Sequence, residues 1–211
     1  MRLFLLITAA LVPAAPAMAY DCHDRVAAMF DGGPLDPFQR PPHSYANTVT
    51  GTDGVVQYVF DVWWQTPVRA ISGMRGGALY TLMVGSDTWT GPSAKGPWTE
   101  MMNQLPEDHE AYQREVVRQQ QTNLKGADCA GLVEIDGHTL DKVSFYTQTD
   151  PTGDMGSWFG ASNTVYVDPE TGQVARWDMT GFTNSFSQTV TLDNHVLIFT
   201  YDPSIRIEAP Q

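Results

Sequence analysis

The side chains that could carry chemistry here are few and scattered. The histidines are His23, His43, His109, His138 and His195, with no H-E-x-x-H pair among them. His138 lies beside a turn and His109 near the start of a helical stretch, so both read as solvated polar residues rather than bases. No G-x-S-x-G elbow, Walker loop or G-x-G-x-x-G is present. The stretch Gly91-Pro92-Ser93-Ala94-Lys95-Gly96 reads as a loop tip without the spacing of a nucleophile elbow. The acidic segments 150–154 and 168–172 contain Asp and Gly but lack the alternating oxygen ligands of a calcium loop, and they read as turns. No catalytic residue, metal site or cofactor is therefore expected.

Cys22 and Cys129 are the remaining reactive pair. A zinc or redox site would require a C-x-x-C or a histidine at ligand spacing, and neither occurs. In an exported chain an isolated pair is expected to form a disulfide. Export is itself expected from residues 1–19, where Arg2 precedes an apolar run, Leu3 to Val12, and Ala17-Met18-Ala19 offers a small-x-small cleavage site. Cleavage after Ala19 would leave one domain over residues 20–211, in the periplasm. No later apolar run is long enough for a membrane-spanning helix. The excess of 24 Asp+Glu over 12 Lys+Arg argues against a nucleic-acid partner.

The positioning elements are mostly strands. Asp136-Gly137 separates two runs rich in β-formers, and the tip Asp168 to Gly172 separates Thr164–Val167 from Val174–Trp177. Gly supplies positive φ and Pro presets φ in such turns, so this half reads as an antiparallel meander. Gln188–Leu192 and His195–Tyr201 are expected to form a last hairpin through Asp193-Asn194. In the first half, 21–30 reads as a short helix stopped by Gly32-Gly33, and a Pro-rich crossing follows. His43 to Thr52 is expected at a sheet edge, and Val68–Ile71 and Ala78–Val84 continue the sheet. Pro106 to Leu124 is the one long helix, with Pro106 at its first position, Glu110 and Arg114 paired, and a thin apolar stripe that places it on the surface or over an opening.

Val55 to Gln65 is the most apolar strand. One face carries Val56, Tyr58, Phe60, Val62 and Trp64, and the other mixes Val55, Gln57, Val59, Asp61 and Trp63. With six Trp, eight Tyr and nine Met in the chain, a curved sheet would present a plastic apolar surface suited to an acyl chain, although core packing uses the same residues.

The spacing of these hairpins also carries a family likeness. Cys129-x-x-Leu132-x-Glu134-x-Asp136-Gly137, then Tyr146, then Val165-Tyr166-Val167-Asp168-x-x-Thr171-Gly172-x-x-x-Arg176, then Tyr201-Asp202-x-x-Ile205-x-Ile207-x-x-Pro210, resembles the second half of periplasmic proteins with the lipoprotein-carrier (LolA/LolB-like) fold. The resemblance implies a mainly β, α+β fold: a strongly curved antiparallel sheet forming an unclosed half-barrel, with helices across its concave face. It also implies an apolar cavity for a lipid or acyl chain, in its best-known members that of a lipoprotein. The expected lining is Val56, Tyr58, Phe60, Val62 and Trp64, joined by Leu82, Phe145, Trp177 and Phe199, with the long helix as lid. A one-residue register slip would invert that assignment. The expected function is non-catalytic binding or carriage of a lipid-like or acylated ligand. The alternative is a cell-envelope interaction or sensor module whose partner is another protein, met through a sheet edge or the hairpin carrying Trp89 and Trp98.

Overall fold

The computed structural model describes residues 22–102, 105–151 and 156–210. The expected signal segment, its cleavage site after Ala19 and most of the acidic loop 150–154 lie outside the described residues.

Two helices, α1 (Cys22–Met29) and α2 (His109–Thr122), accompany strands β1 (His43–Thr50), β2 (Val56–Thr66), β3 (Arg69–Met74), β4 (Tyr80–Val84), β5 (Asp87–Gly91) and β6 (Thr99–Glu100). The second half holds β7 (Lys125–Ile135), β8 (His138–Gln148), β9 (Phe159–Val167), β10 (Val174–Asn184), β11 (Ser187–Thr191) and β12 (Asn194–Tyr201). All twelve strands join one antiparallel sheet, in the order β6-β5-β4-β3-β2-β1-β12-β10-β9-β8-β7, with β11 folded onto β10. The sheet is curved like a half-barrel and is not closed, as the sequence leads one to expect.

The first strand sits in the middle. β1 pairs with β2 on one side and with β12 on the other. This corrects its expected place at an edge: residues 43–50 are short and half polar, which suits an edge, but β12 returns to cover the free side. The last hairpin is corrected too. β12 does not pair with β11; it pairs with β10 through Arg176–Met179 and with β1 along its whole length. Burial explains the choice, because Leu197 and Phe199 of β12 enter the core whereas Val190 and Leu192 remain exposed.

The β7–β8 turn forms at Asp136-Gly137, both at positive φ (51° and 80°), as the Asp-Gly signal requires. Helix α2 starts later than expected. Asp108 caps it by accepting from the Ala111 N–H at 2.9 Å, so Pro106 precedes the helix instead of opening it. The Glu110–Arg114 pair forms at 2.8 Å.

The core lies between α1 and the second meander. Val26, Phe30 and Leu35 pack over Val143, Phe145, Val165 and Val174. Cys22 and Cys129 are joined in a disulfide that ties the first turn of α1 to β7. Arg25 and Asp141 form an ion pair from α1 to β8. A loop of 107 residues closed in the unfolded chain corresponds to about 4 to 5 kcal/mol in the chain-entropy model. Replacing both cysteines with alanine should therefore lower the unfolding free energy by about 3 to 5 kcal/mol in urea titrations while far-UV circular dichroism stays β-rich. An unchanged midpoint would show that the link does not restrain the unfolded chain.

Candidate functional site

Antiparallel partners face the same side of a sheet, so the register decides which residues share a surface. Tyr45 pairs with Val62 and with Phe199, and Asn47 pairs with Phe60 and with Leu197. Leu197 pairs with Trp177, Trp177 with Val165 and Val165 with Val143. The Tyr58, Phe60, Val62 and Trp64 positions are therefore on the same face as Phe199, Trp177 and Val143, and α1 packs on that face. The opposite face carries the ion pairs Arg75–Asp61 at 2.6 Å and Arg176–Asp178 at 2.7 Å.

Seven of the nine expected lining residues thus share the helix-bearing side, Phe145 included, while Val56 lies beyond a register shift, paired with Thr50 rather than with the Val49 row. Leu82 does not. It pairs with Ile71 and Trp89, and Ile71 pairs with Trp63, which alternates with Val62 and Trp64. Leu82 belongs to the outer face, and its near-complete burial (1% exposed) is core packing there. Sequence alternation alone could not reveal this, because the turn between β2 and β3 sets the offset. Phe145 is filled against Phe30, edge to face at 5.8 Å between ring centroids. The indole N–H of Trp177 donates to Asn163 Oδ1 at 2.9 Å. Those two residues are structural parts of the covered end of the face.

The β2 row is graded. Val56 is 54% exposed, Tyr58 36% and Val62 5%. Val56, Met74, Leu79, Phe159 and Phe186 are all exposed and all lie at the same end of the sheet, where β2, β9 and the β4 start meet the turns after β3 and β10. An apolar track therefore runs from the open strand end near Tyr58 to a covered floor at Val62, with Trp64 half-buried beyond it.

α2 leads from one sheet edge, β6, to the other, β7, so it bridges the sides that closure of a barrel would have joined. Val117 packs it on the core, and several of its fastenings are polar. Gln121 Nε2 donates to Ala27 O at 2.8 Å, Asn123 Nδ2 to Gln148 O at 3.0 Å, and Gln119 Oε1 accepts from Asp150 N at 2.9 Å. The Arg114 guanidinium lies 3.8 Å over the Phe38 ring. His109, expected to be solvated, is instead buried and stacked on Tyr112 at 6.0 Å, and burial lowers its pKa. His138 is exposed, as expected.

The far end of the track holds residues that periodicity did not single out. His43 is 1% exposed and lies among Tyr45, Trp64, Phe199 and Tyr201, with ring centroids 5.4 to 6.2 Å away. Its Nδ1 donates to Pro41 O at 2.8 Å. Arg40 sits beside it, 5.6 Å above the Trp177 ring. Burial pushes the Arg40 guanidinium pKa down, against the opposing influence of Tyr201, Tyr45 and Asp36. Nothing in the sequence around Pro37, Pro41 and Pro42 marks Arg40, since an irregular segment has no period to read. Among the described residues no cluster of three or more His, Cys, Asp or Glu side chains could hold a metal ion, and no helix is long and apolar enough to cross a membrane.

No protein-family model and no curated protein sequence matches the chain. Solved structures do. The lipoprotein LppX of Mycobacterium tuberculosis superposes with a TM-score of 0.53 at 12% identity, covering 88% of this chain and 99% of LppX. LprF of Mycobacterium bovis gives 0.49 at 12% identity, over 89% of this chain and 97% of its own. A LolA superfamily protein from Nitrosomonas europaea gives 0.34 at 10% identity, over 82% and 90%. The curved, unclosed antiparallel sheet of this chain is thus a fold that LppX shares. At such identities the likeness to LppX is one of fold, and the two weaker superpositions add no weight to it.

Burial, the dominant influence, lowers the His43 pKa from 6.5 to about 4, with the Pro41 hydrogen bond raising it and Arg40 lowering it further. Between those two values the unfolded chain binds the proton and the folded chain does not, so stability rises with pH across this window. The contribution is fully present above pH 6.5 and is lost as pH falls toward about 4. It amounts to at most about 3 kcal/mol. Urea unfolding from pH 7 to 4 should show this slope, and His43→Phe should flatten it. An equal slope in the variant would assign the pH dependence to the carboxylates.

Proposed function

We propose that this chain is a periplasmic, non-catalytic binding protein or carrier that takes an acyl chain or similar amphiphile on the concave face of its half-barrel. The observation that carries this reading is the β2 row, where apolar side chains run from 36% exposed at Tyr58 to 5% at Val62 on one face, with Val56 exposed at the strand's end beyond them. A soluble domain rarely leaves such a track uncovered without a partner for it. An acyl chain laid along it removes apolar area from both surfaces. About 200 Å² buried is worth on the order of 5 kcal/mol before ordering costs.

The supporting observations are consistent with one another. The fold is that of LppX, itself a lipoprotein. The Cys22–Cys129 disulfide suits an oxidising compartment, as does the signal-like segment 1–19. We read residues 20–211 as the mature unit. The lining is Val56, Tyr58, Phe60, Val62 and Trp64, with Phe199 beside them. The polar fastenings of α2 suit a lid, because they can open without exposing a large apolar stripe.

Tyr58→Asp combined with Phe60→Asp should reduce uptake of a fluorescent fatty acid by at least about tenfold. Circular dichroism should show the sheet intact. Undiminished uptake by the folded double variant would remove this face as the binding wall.

A further inference from the structure

Around the His43 ring cluster three buried polar atoms have no hydrogen-bond partner among the described residues: Arg40 Nε, His43 Nε2 and Trp64 Nε1. Buried polar groups are nearly always paired, and each orphan carries its full desolvation penalty. Their roles are fixed by chemistry. Pro41 O can only accept, so His43 Nδ1 carries the ring proton and Nε2 is an acceptor. Arg40 Nε–H and Trp64 Nε1–H are donors. The His43 ring lies 6.0 Å from that of Trp64 and nearly parallel to it, so His43 Nε2 and Trp64 Nε1–H do not satisfy each other.

Arg40 is also short of charge compensation. Arg25, Arg75, Arg114, Arg118 and Arg176 each hold a carboxylate within ion-pair distance, and Arg69 and Arg206 donate to backbone carbonyls. Arg40 has one long hydrogen bond, Nη2 to Leu35 O at 3.4 Å, besides its place over the Trp177 ring. The nearest acid, Asp36, has its oxygens engaged by the Gly32 and Phe38 backbone N–H groups at 3.3 and 2.9 Å. In a chain of net charge −12, a half-buried guanidinium with a buried, unpaired Nε and no carboxylate is an anomaly that an anion of outside origin would resolve. A cavity of about 280 Å³ adjoins Arg40, between Gly32-Gly33-Pro34 and Thr171-Gly172-Gln173.

We propose that Arg40 and Trp64, flanking His43, receive the oxyanion head of an amphiphile whose tail runs along β2 to the open rim. The oxyanion accepts from Arg40 Nε–H and Trp64 Nε1–H, and His43 Nε2 accepts from an O–H of the head where it has one. The distance from Trp64 to Val56 along the strand is about 26 Å at the usual rise per residue, room for a long acyl chain. The inference rests on the carrier reading above and adds the chemical class of the ligand: an acid or acyl phosphate, not a neutral lipid.

The test compares palmitate with methyl palmitate, by displacement of Nile red from the delipidated mature protein. Palmitate should bind about tenfold tighter or more, the size expected for a charge-assisted hydrogen bond in a dry site. Arg40→Met should bring palmitate down to the ester's affinity and leave the ester within about twofold, and Trp64→Phe should cut the preference by about threefold. Equal binding of acid and ester by the unmodified protein would overturn the head-group site while leaving the carrier reading standing. Equal loss of both in Arg40→Met would make Arg40 a wall residue and overturn it as well. Acetate or phosphate that weakens palmitate fully at millimolar concentration would assign the site to free anions instead. Binding of neither compound would remove the carrier reading and this inference with it.

Discussion

The pairing of β1 with β12 is the constraint on which the rest of the molecule depends. Each half of the chain is a meander that could exist with two free edges. Joining the first strand to the last makes one sheet of both, and it places the two remaining edges, β6 and β7, at the far ends. Those edges are consecutive in the chain, so the segment between them must cross from one to the other. α2 therefore lies over the open side as a matter of topology. Twist accumulated over so many antiparallel strands curves the sheet toward that helix. The disulfide and the Arg25–Asp141 pair hold α1 down beside it.

Packing is distributed unevenly over this frame. The second meander is closed by α1 and has fully buried valines at 143, 165 and 174. The first meander has no helix of that kind over it, and its β2 row passes from the core into solvent. Stability is thus concentrated in one half, and the exposed apolar track in the other. Such a division lets this face stay open without threatening the fold, because the buried area that holds the sheet together does not depend on what covers Val56 and Tyr58.

Much of this was legible in the sequence, for local reasons. Asp136-Gly137 and Asp168 to Gly172 encode turns through φ preferences, and strict alternation over Val56 to Trp64 encodes a face. The cysteine pair needed only a signal-like first segment and the absence of ligand spacing. What was not legible depends on long-range pairing. The central position of β1, the separation of β11 from β12 and the outward side of Leu82 are all decided by register between distant strands. His109 looked solvated because helix starts usually are, yet the crossing of α2 buries it. Arg40 lies in a proline-rich segment without periodicity, and only the converging rings of Tyr45, Trp177 and Tyr201 make it conspicuous.

The central claim is that the concave face holds an amphiphile, and native mass spectrometry of the protein purified from cells tests it most directly, followed by organic extraction of the bound material. The account predicts a stoichiometric adduct that dissociates on collisional activation and is recovered as an acyl-containing compound. A clean apo mass, with no adduct after incubation with palmitate or a synthetic lipopeptide, would contradict it and leave the half-barrel as a surface for another protein of the envelope.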